Sequence, residues 1–143
     1  MTREEIEDHI YKMGGKARGA ALALAVLSEK KKNEILRAMA AGIRSAAPEI
    51  LEANGKDIAA GEERGLTLAM LDRLRLDADR LEAVARGVEK VATLPDPVGE
   101  ILDEWDRPNG IQIQKLRVQI GVIGIIYESR QKVTSDAAVS FLK

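Results

Sequence analysis

The sequence contains no cysteine and a single histidine, His9, in 143 residues. The first absence excludes disulfides, thiolate metal sites, iron–sulfur clusters and a cysteine nucleophile within these residues. The second argues against a histidine triad or an imidazole-built zinc site. Aromatic residues make up 3%, namely Tyr11, Trp105, Tyr127 and Phe141, which is too few for a base-stacking surface. Charge of one sign is also lacking. Twenty-two Lys+Arg oppose 23 Asp+Glu for a formal net charge of -1, so neither nucleic acid nor an anionic membrane finds a general electrostatic partner. Long apolar runs are missing too: the most apolar stretch, Ala20 to Leu27, falls far short of the roughly 20 residues that span a bilayer. The charged opening MTREEIEDHIYK has no apolar segment of the signal-peptide kind, and a cytoplasmic location is expected.

What remains is a globular composition, 45% hydrophobic and 31% charged, at a length close to the roughly 150-residue prior for one domain. Residues 3 to 94 read as successive helices. The first runs from Glu4 to Leu27; its second half, from Ala17, is almost entirely apolar and is expected to be buried on most sides. Ser28 is the N-cap candidate of the next helix, along which Ile35, Met39, Ile43, Ala46, Ile50 and Ala53 recur at steps of three and four as a core-facing stripe. Asn54-Gly55 is expected to stop it. Short helical pieces follow at Asp57 to Glu63 and Leu68 to Leu74, separated by Gly65. Asp77 caps a further helix with Leu81, Val84, Ala85, Val88, Val91 and Ala92 on its apolar face, and Pro95 and Pro97 end the helical part.

From Gly99 the period changes. Ile101 to Arg107, then Pro108-Asn109-Gly110, then Ile111 to Ile120 reads as a β-hairpin, with a bulge or a change of partner near Lys115 where the alternation slips phase. Gly121 to Tyr127, GVIGIIY, has the pattern of a strand buried on both faces, and Thr134, Ser135 or Asp136 caps a last helix. The fold class is therefore α+β: a helical region over 1–98, a hairpin over 99–120, and over 121–143 the first strand–helix unit of a Rossmann-like sheet. Because no second buried strand follows, the chain reads as one cut after that step.

Four blocks, Leu51-Glu-Ala-Asn54-Gly-Lys-Asp57, Gly65-Leu-Thr-Leu-Ala-Met70-Leu-Asp72-Arg73-Leu74, Leu94-Pro-Asp-Pro-Val-Gly-Glu100 and Gly121-Val-Ile-Gly-Ile-Ile-Tyr-Glu128-Ser-Arg130, resemble the γ-glutamyl phosphate reductase family of the aldehyde dehydrogenase superfamily. The resemblance runs the length of the chain and covers the amino-terminal portion of that family. It implies NADPH-dependent reduction of γ-glutamyl phosphate to glutamate 5-semialdehyde, a step of proline synthesis. It also implies a catalytic cysteine and an asparagine amide that holds the oxyanion. The family's Arg-Pro-Asn-Val reads Arg130-Gln131-Lys132-Val133 here, so Lys132 occupies the expected oxyanion-asparagine position, and a second family proline falls at Gln119. With Ser140 in an otherwise apolar helix, these replacements raise polarity, and they are read as marks of an engineered or solubilised fragment, or second of a decayed paralogue. An inactive amino-terminal fragment that binds no NADPH by itself is the expectation. The alternative is a non-catalytic helical scaffold or self-associating interaction module.

Glu128, Ser129 and Arg130 follow directly on the apolar strand, where ligands of open α/β sheets bind, and are the substrate-loop candidates. Gly14-Gly15-Lys16-Ala-Arg18-Gly19 fits no phosphate-loop spacing and is read as ordinary helix. Gly121-x-x-Gly124 is read as close backbone packing in a sheet, Asp72-Arg73 as two separate surface contacts, and Lys30-Lys31-Lys32 as a solvated helix start. No metal site is expected. Unpaired strand edges over 100–127 are expected to make the chain a homo-oligomer.

Overall fold

A computed structural model describes residues 1–127 and 131–143, and these divide into two compact units. One comprises Met1–Ser28 with Pro95–Gly124, the other Glu29–Leu94 with Ile125–Lys143.

In the first unit, helix α1 (Arg3–Ala25) starts at a capping box: the Thr2 hydroxyl accepts from the Glu5 backbone N–H at 3.3 Å, and the Glu5 carboxylate accepts from the Thr2 N–H at 2.7 Å. The helix runs unbroken through Gly14, Gly15 and Gly19, as read from the sequence. Its burial was not as read. No α1 residue is buried, and Leu22 is 70% and Val26 84% exposed, because a helix can bury an apolar face only against elements that lie on it.

The hairpin of this unit pairs β1 (Ile101–Asp106) with β2 (Gln112–Leu116) antiparallel. The turn is Pro108-Asn109-Gly110: Arg107 N–H donates to the Ile111 carbonyl at 2.8 Å, Asn109 Oδ1 accepts from the Ile111 N–H, and Gly110 takes a φ of +80°. Register slips where the alternation changes phase, but the extra residue is on β1: Ile101 faces Leu116 and Asp103 faces Lys115, which leaves Leu102 over.

The expected strand at Gly121–Tyr127 does not form. A strand is defined by ladder bonds to a neighbour, and no described strand lies beside it. Its apolar side chains are exposed, Ile126 fully so. Nor do its glycines serve close packing: a Cβ at Gly121 or Gly124 would meet nothing within 4 Å, and what favours glycine at 121 is a φ of +99°.

The second unit is helical. Helix α2 (Glu29–Ser45) ends nine residues earlier than read, and α3 (Ala47–Glu63) carries straight on through Asn54-Gly55. Pro48 is the cause: it has no N–H to continue the α2 ladder, yet fits the first turn of a new helix. After α3, Gly65 at φ +73° turns the chain, with Gly65 and Leu66 N–H groups donating to the carbonyls of Glu62 and Gly61. Helix α4 (Leu68–Leu74) then lies against Gly61, where a Cβ would come within 3.1 Å of Leu71. As read, the Asp77 side chain caps α5 (Ala78–Ala92) by accepting from the Arg80 N–H at 2.7 Å. The last helix is α6 (Gln131–Leu142).

The core lies between α2 and α5, closed by α6: Leu36, Ala40 and Ala85 are 0% exposed, and Val88, Val139 and Leu142 are buried with them. On α5 the expected face is correct. On α2 it is rotated by one residue, so that Ile35, Met39 and Ile43 are only half-buried beside the core. Lys32 is buried as well, so the lysine run is not wholly a solvated helix start.

Candidate functional site

The displaced stripe has a consequence. Met39 and Ile43 of α2 line a cleft of about 610 Å³ with Ile50 and Ala53 of α3, Leu76, and Leu81 and Val84 of α5. Its fourth side is the start of α6, contributing Lys132, Thr134, Ser135 and Ala138. The cleft therefore lies wholly within the second unit. Its walls are mainly aliphatic, and among the described residues the charged groups on it are the Asp57 carboxylate of α3 and the Lys132 ammonium of α6. An apolar cleft with a few convergent polar groups is the usual form of a small-molecule site.

Each wall is fixed by a specific contact. Asn54, 5% exposed, donates from Nδ2 to the Leu74 carbonyl at 2.8 Å and accepts on Oδ1 from the Leu76 N–H at 2.7 Å. It thus holds the turn that carries Leu76, using both ends of one amide. Arg44 ties α2 to α5 by four hydrogen bonds of 2.6–2.9 Å to Glu82 and Glu89. These bonds hold both glutamates below the ordinary carboxylate range and raise the guanidinium above its own. Arg80 of α5 reaches α4 at the Asp72 carboxylate, 2.7 Å away, and lowers its pKa in the same way. Asp72 thus makes a contact of its own, apart from Arg73. At α6, the Ser135 hydroxyl donates to the Lys132 carbonyl at 2.8 Å, and the Thr134 and Tyr127 hydroxyls meet at 2.6 Å.

Of the residues singled out from sequence, Lys132 lies on the cleft, whereas Glu128, Ser129 and Arg130 lie outside the described residues. His9 is exposed on α1. Asp57 and Met39 were read as elements of helices and Asn54 as a helix stop, none of them as a site residue; the signal for Asn54 and Asp57 was a polar pair, Asn54-x-x-Asp57, set one helical turn apart. Gly14 and Arg18 line a second, separate cleft of about 500 Å³ in the first unit, together with Gln119 and Val122. There Gln119 Nε2 donates to the Ala25 carbonyl at the end of α1, at 2.9 Å. A residue read as solubilising is thus a helix cap, a contact that proline could not make. Among the described residues no cluster of His, Cys, Asp or Glu could hold a metal ion, and no helix is long and apolar enough to cross a membrane.

No protein-family model matches the chain. Curated relatives do. The chain is 51% identical over 138 residues to the γ-glutamyl phosphate reductase of Geotalea daltonii, covering 96% of this chain and 33% of that protein. It is 51% identical over all 143 residues to that of Paramagnetospirillum magneticum, covering 34% of it. The crystal structure of γ-glutamyl phosphate reductase from Thermotoga maritima superposes with a TM-score of 0.88 at 38% identity, over 90% of this chain and 31% of that one. The Saccharomyces cerevisiae enzyme gives 0.84 at 29% identity, over 90% and 33%. The chain spans about a third of the length of these relatives, and sequence and fold alike match the amino-terminal part of γ-glutamyl phosphate reductase.

Proposed function

We propose that the chain supplies one wall of the acyl-phosphate site of a γ-glutamyl phosphate reductase, and that the cleft of the second unit receives the substrate. The observation that carries this reading is that Lys132, at the position the resemblance gives to the oxyanion asparagine, lines that cleft. As charge develops on the carbonyl oxygen of an acyl phosphate, an ammonium beside it donates hydrogen bonds and offsets that charge, while aliphatic walls exclude competing water. A lysine does this from a flexible stem where an amide would be fixed. The chain has no cysteine, so a thiol that attacks the carbonyl comes from outside these 143 residues.

NADPH would supply the hydride in such an enzyme. The described residues do not fit it: they offer no two parallel strands flanking a crevice, and Gly121 and Gly124 are not in a strand-to-helix turn. A cytoplasmic location goes with the same reading.

The test is a chimaera in which these 143 residues replace the matching third of the Geotalea daltonii relative. Phosphate-dependent reduction of NADP with glutamate 5-semialdehyde is expected, and Lys132→Ala should lower kcat by roughly a hundredfold, the usual loss for one oxyanion donor. A folded chimaera without turnover, in which Lys132→Asn restores none, would overturn the reading.

One observation favours a second reading, a self-associating module. All six β1 residues are exposed, and so are Val118, Ile120 and the apolar side chains of 121–127. A two-stranded hairpin keeps unpaired backbone groups on its outer edges, which invite a further strand, and the exposed apolar side chains would gain cover from it. Light scattering at rising concentration should then show growing mass; a constant monomer mass would remove this reading.

A further inference from the structure

We propose that the cleft of the second unit selects an amino-acid-shaped substrate, with the Asp57 carboxylate receiving its α-ammonium group. The inference deepens the proposed function and rests on it.

Asp57 stands well inside α3, where aspartate is among the poorer helix formers and too far from the amino end to cap it. Several carboxylates nearby have cationic partners: Glu52 pairs with Lys56, Asp72 with Arg80, and Glu82 and Glu89 with Arg44, while Glu49, Glu62 and Glu63 of α3 have none among the described residues but do not line the cleft. Asp57 has no ion pair or hydrogen bond from its side chain among the described residues, although Lys56 adjoins it in sequence. It therefore contributes neither propensity, cap nor pairing to the fold. What it does contribute, among the described residues, is the negative charge on a cleft of aliphatic walls whose positive charge is Lys132.

Those two charges lie on different helices, α3 and α6, and do not pair with each other. A cleft that holds opposite charges apart across an apolar surface is complementary to a ligand with a cation at one end, a short aliphatic chain, and an electron-rich group at the other. A γ-glutamyl compound has that form: an α-ammonium, two methylenes and an activated carboxyl group. With the acyl end at Lys132, the ammonium falls to Asp57. Because Asp57 is solvent-exposed, the α-carboxylate next to that ammonium keeps its water.

The test is a backbone NMR titration of the isotopically labelled chain with L-glutamate γ-methyl ester and, separately, its N-acetyl derivative, which has no ammonium. The ester is expected to shift resonances of Ala53 to Ile58 and of Thr134 to Ala138. Acetylation should weaken binding by about tenfold, as loss of a charged hydrogen bond does. In Asp57→Asn the two probes should bind alike, and Asp57→Glu should recover the preference. Equal binding of both probes to the unaltered chain, or an undiminished preference in Asp57→Asn, would overturn the role of Asp57 and leave the cleft as the substrate site. If neither probe moves a cleft resonance, both readings fall.

Discussion

The two units differ in what they do with similar apolar sequence. Every residue classed as buried lies in the second unit, including Leu36 and Ala40 at 0% exposure. The first unit holds a stretch at least as apolar, Ala20 to Leu27, and buries none of it. Both stretches are helical over most of their length, and the one in the first unit is the more apolar, so local preference does not account for the difference. What does is whether further elements lie on the face: α2 has α5, α3 and α6 within its own unit. Apolar periodicity states a requirement for cover. It does not state which element provides the cover, and α1 and the hairpin carry that requirement unmet among the described residues.

A matched pair of truncations breaks the comparison most directly. Leu36→Ala removes a fully buried side chain and should cost about 2–5 kcal/mol of unfolding free energy, read from denaturant midpoints. Leu22→Ala, from a side chain 70% exposed, should stay within about 0.5 kcal/mol. Equal costs would mean that the face of α1 is covered in solution, and the contrast between the units would be lost.

These two leucines also mark how much was legible in sequence. Helix α5 was readable in full, since its cap, Asp77, and its stripe, Leu81 to Ala92, are local features. The hairpin was readable because Asn109-Gly110 specifies its own turn. Where a local rule competed with another, the reading failed: Asn54-Gly55 looked like a helix stop, but the missing N–H of Pro48 had already ended α2. That freed Asn54 to clamp a turn twenty residues away, a tertiary role that no local pattern carries. The strand at Gly121–Tyr127 failed for the opposite reason. Its pattern was clear, but a ladder needs a second strand, and pattern cannot supply one. In the cleft, Lys132 was legible through resemblance alone, whereas Asp57 required knowing that α3 continues past Gly55 and turns that face toward α6.

Acid should separate the units more gently. Glu82 and Glu89 have pKa values lowered by Arg44, so the folded second unit binds these two protons less readily than the unfolded chain. Their contribution is complete above the ordinary carboxylate value and is lost as pH falls through the lower, folded-state values. The melting temperature of the second unit should therefore drop in that acid window, and Arg44→Met should flatten the drop. Arg44 itself stays protonated throughout, its own shift being upward. The corresponding pairs of α1, Arg3–Glu7 and Asp8–Lys12, are exposed one-turn contacts of the kind that contributes little to stability. An acid slope unchanged by Arg44→Met would show that the clasp between α2 and α5 contributes nothing measurable.

The smallest expected effect lies in the first unit and tests whether it has any tertiary organisation of its own. The last carbonyls of a helix have no partner within it, and at α1 the Ala25 carbonyl takes its hydrogen bond from the Gln119 side chain, 94 residues on. That bond links α1 to the segment after β2, and Gln119→Ala should cost about 0.5 kcal/mol, the low end for a hydrogen bond open to water. Global unfolding would barely register this, since the core is elsewhere. Amide hydrogen exchange would: protection should fall over the last turn of α1 and stay constant in α2 and α5. Gln119→Pro should give the same local loss, because the ring supplies no donor. If Gln119→Ala leaves the exchange of Leu22 to Val26 unchanged, α1 gains nothing from that segment, and the first unit would be two independent elements instead of one body.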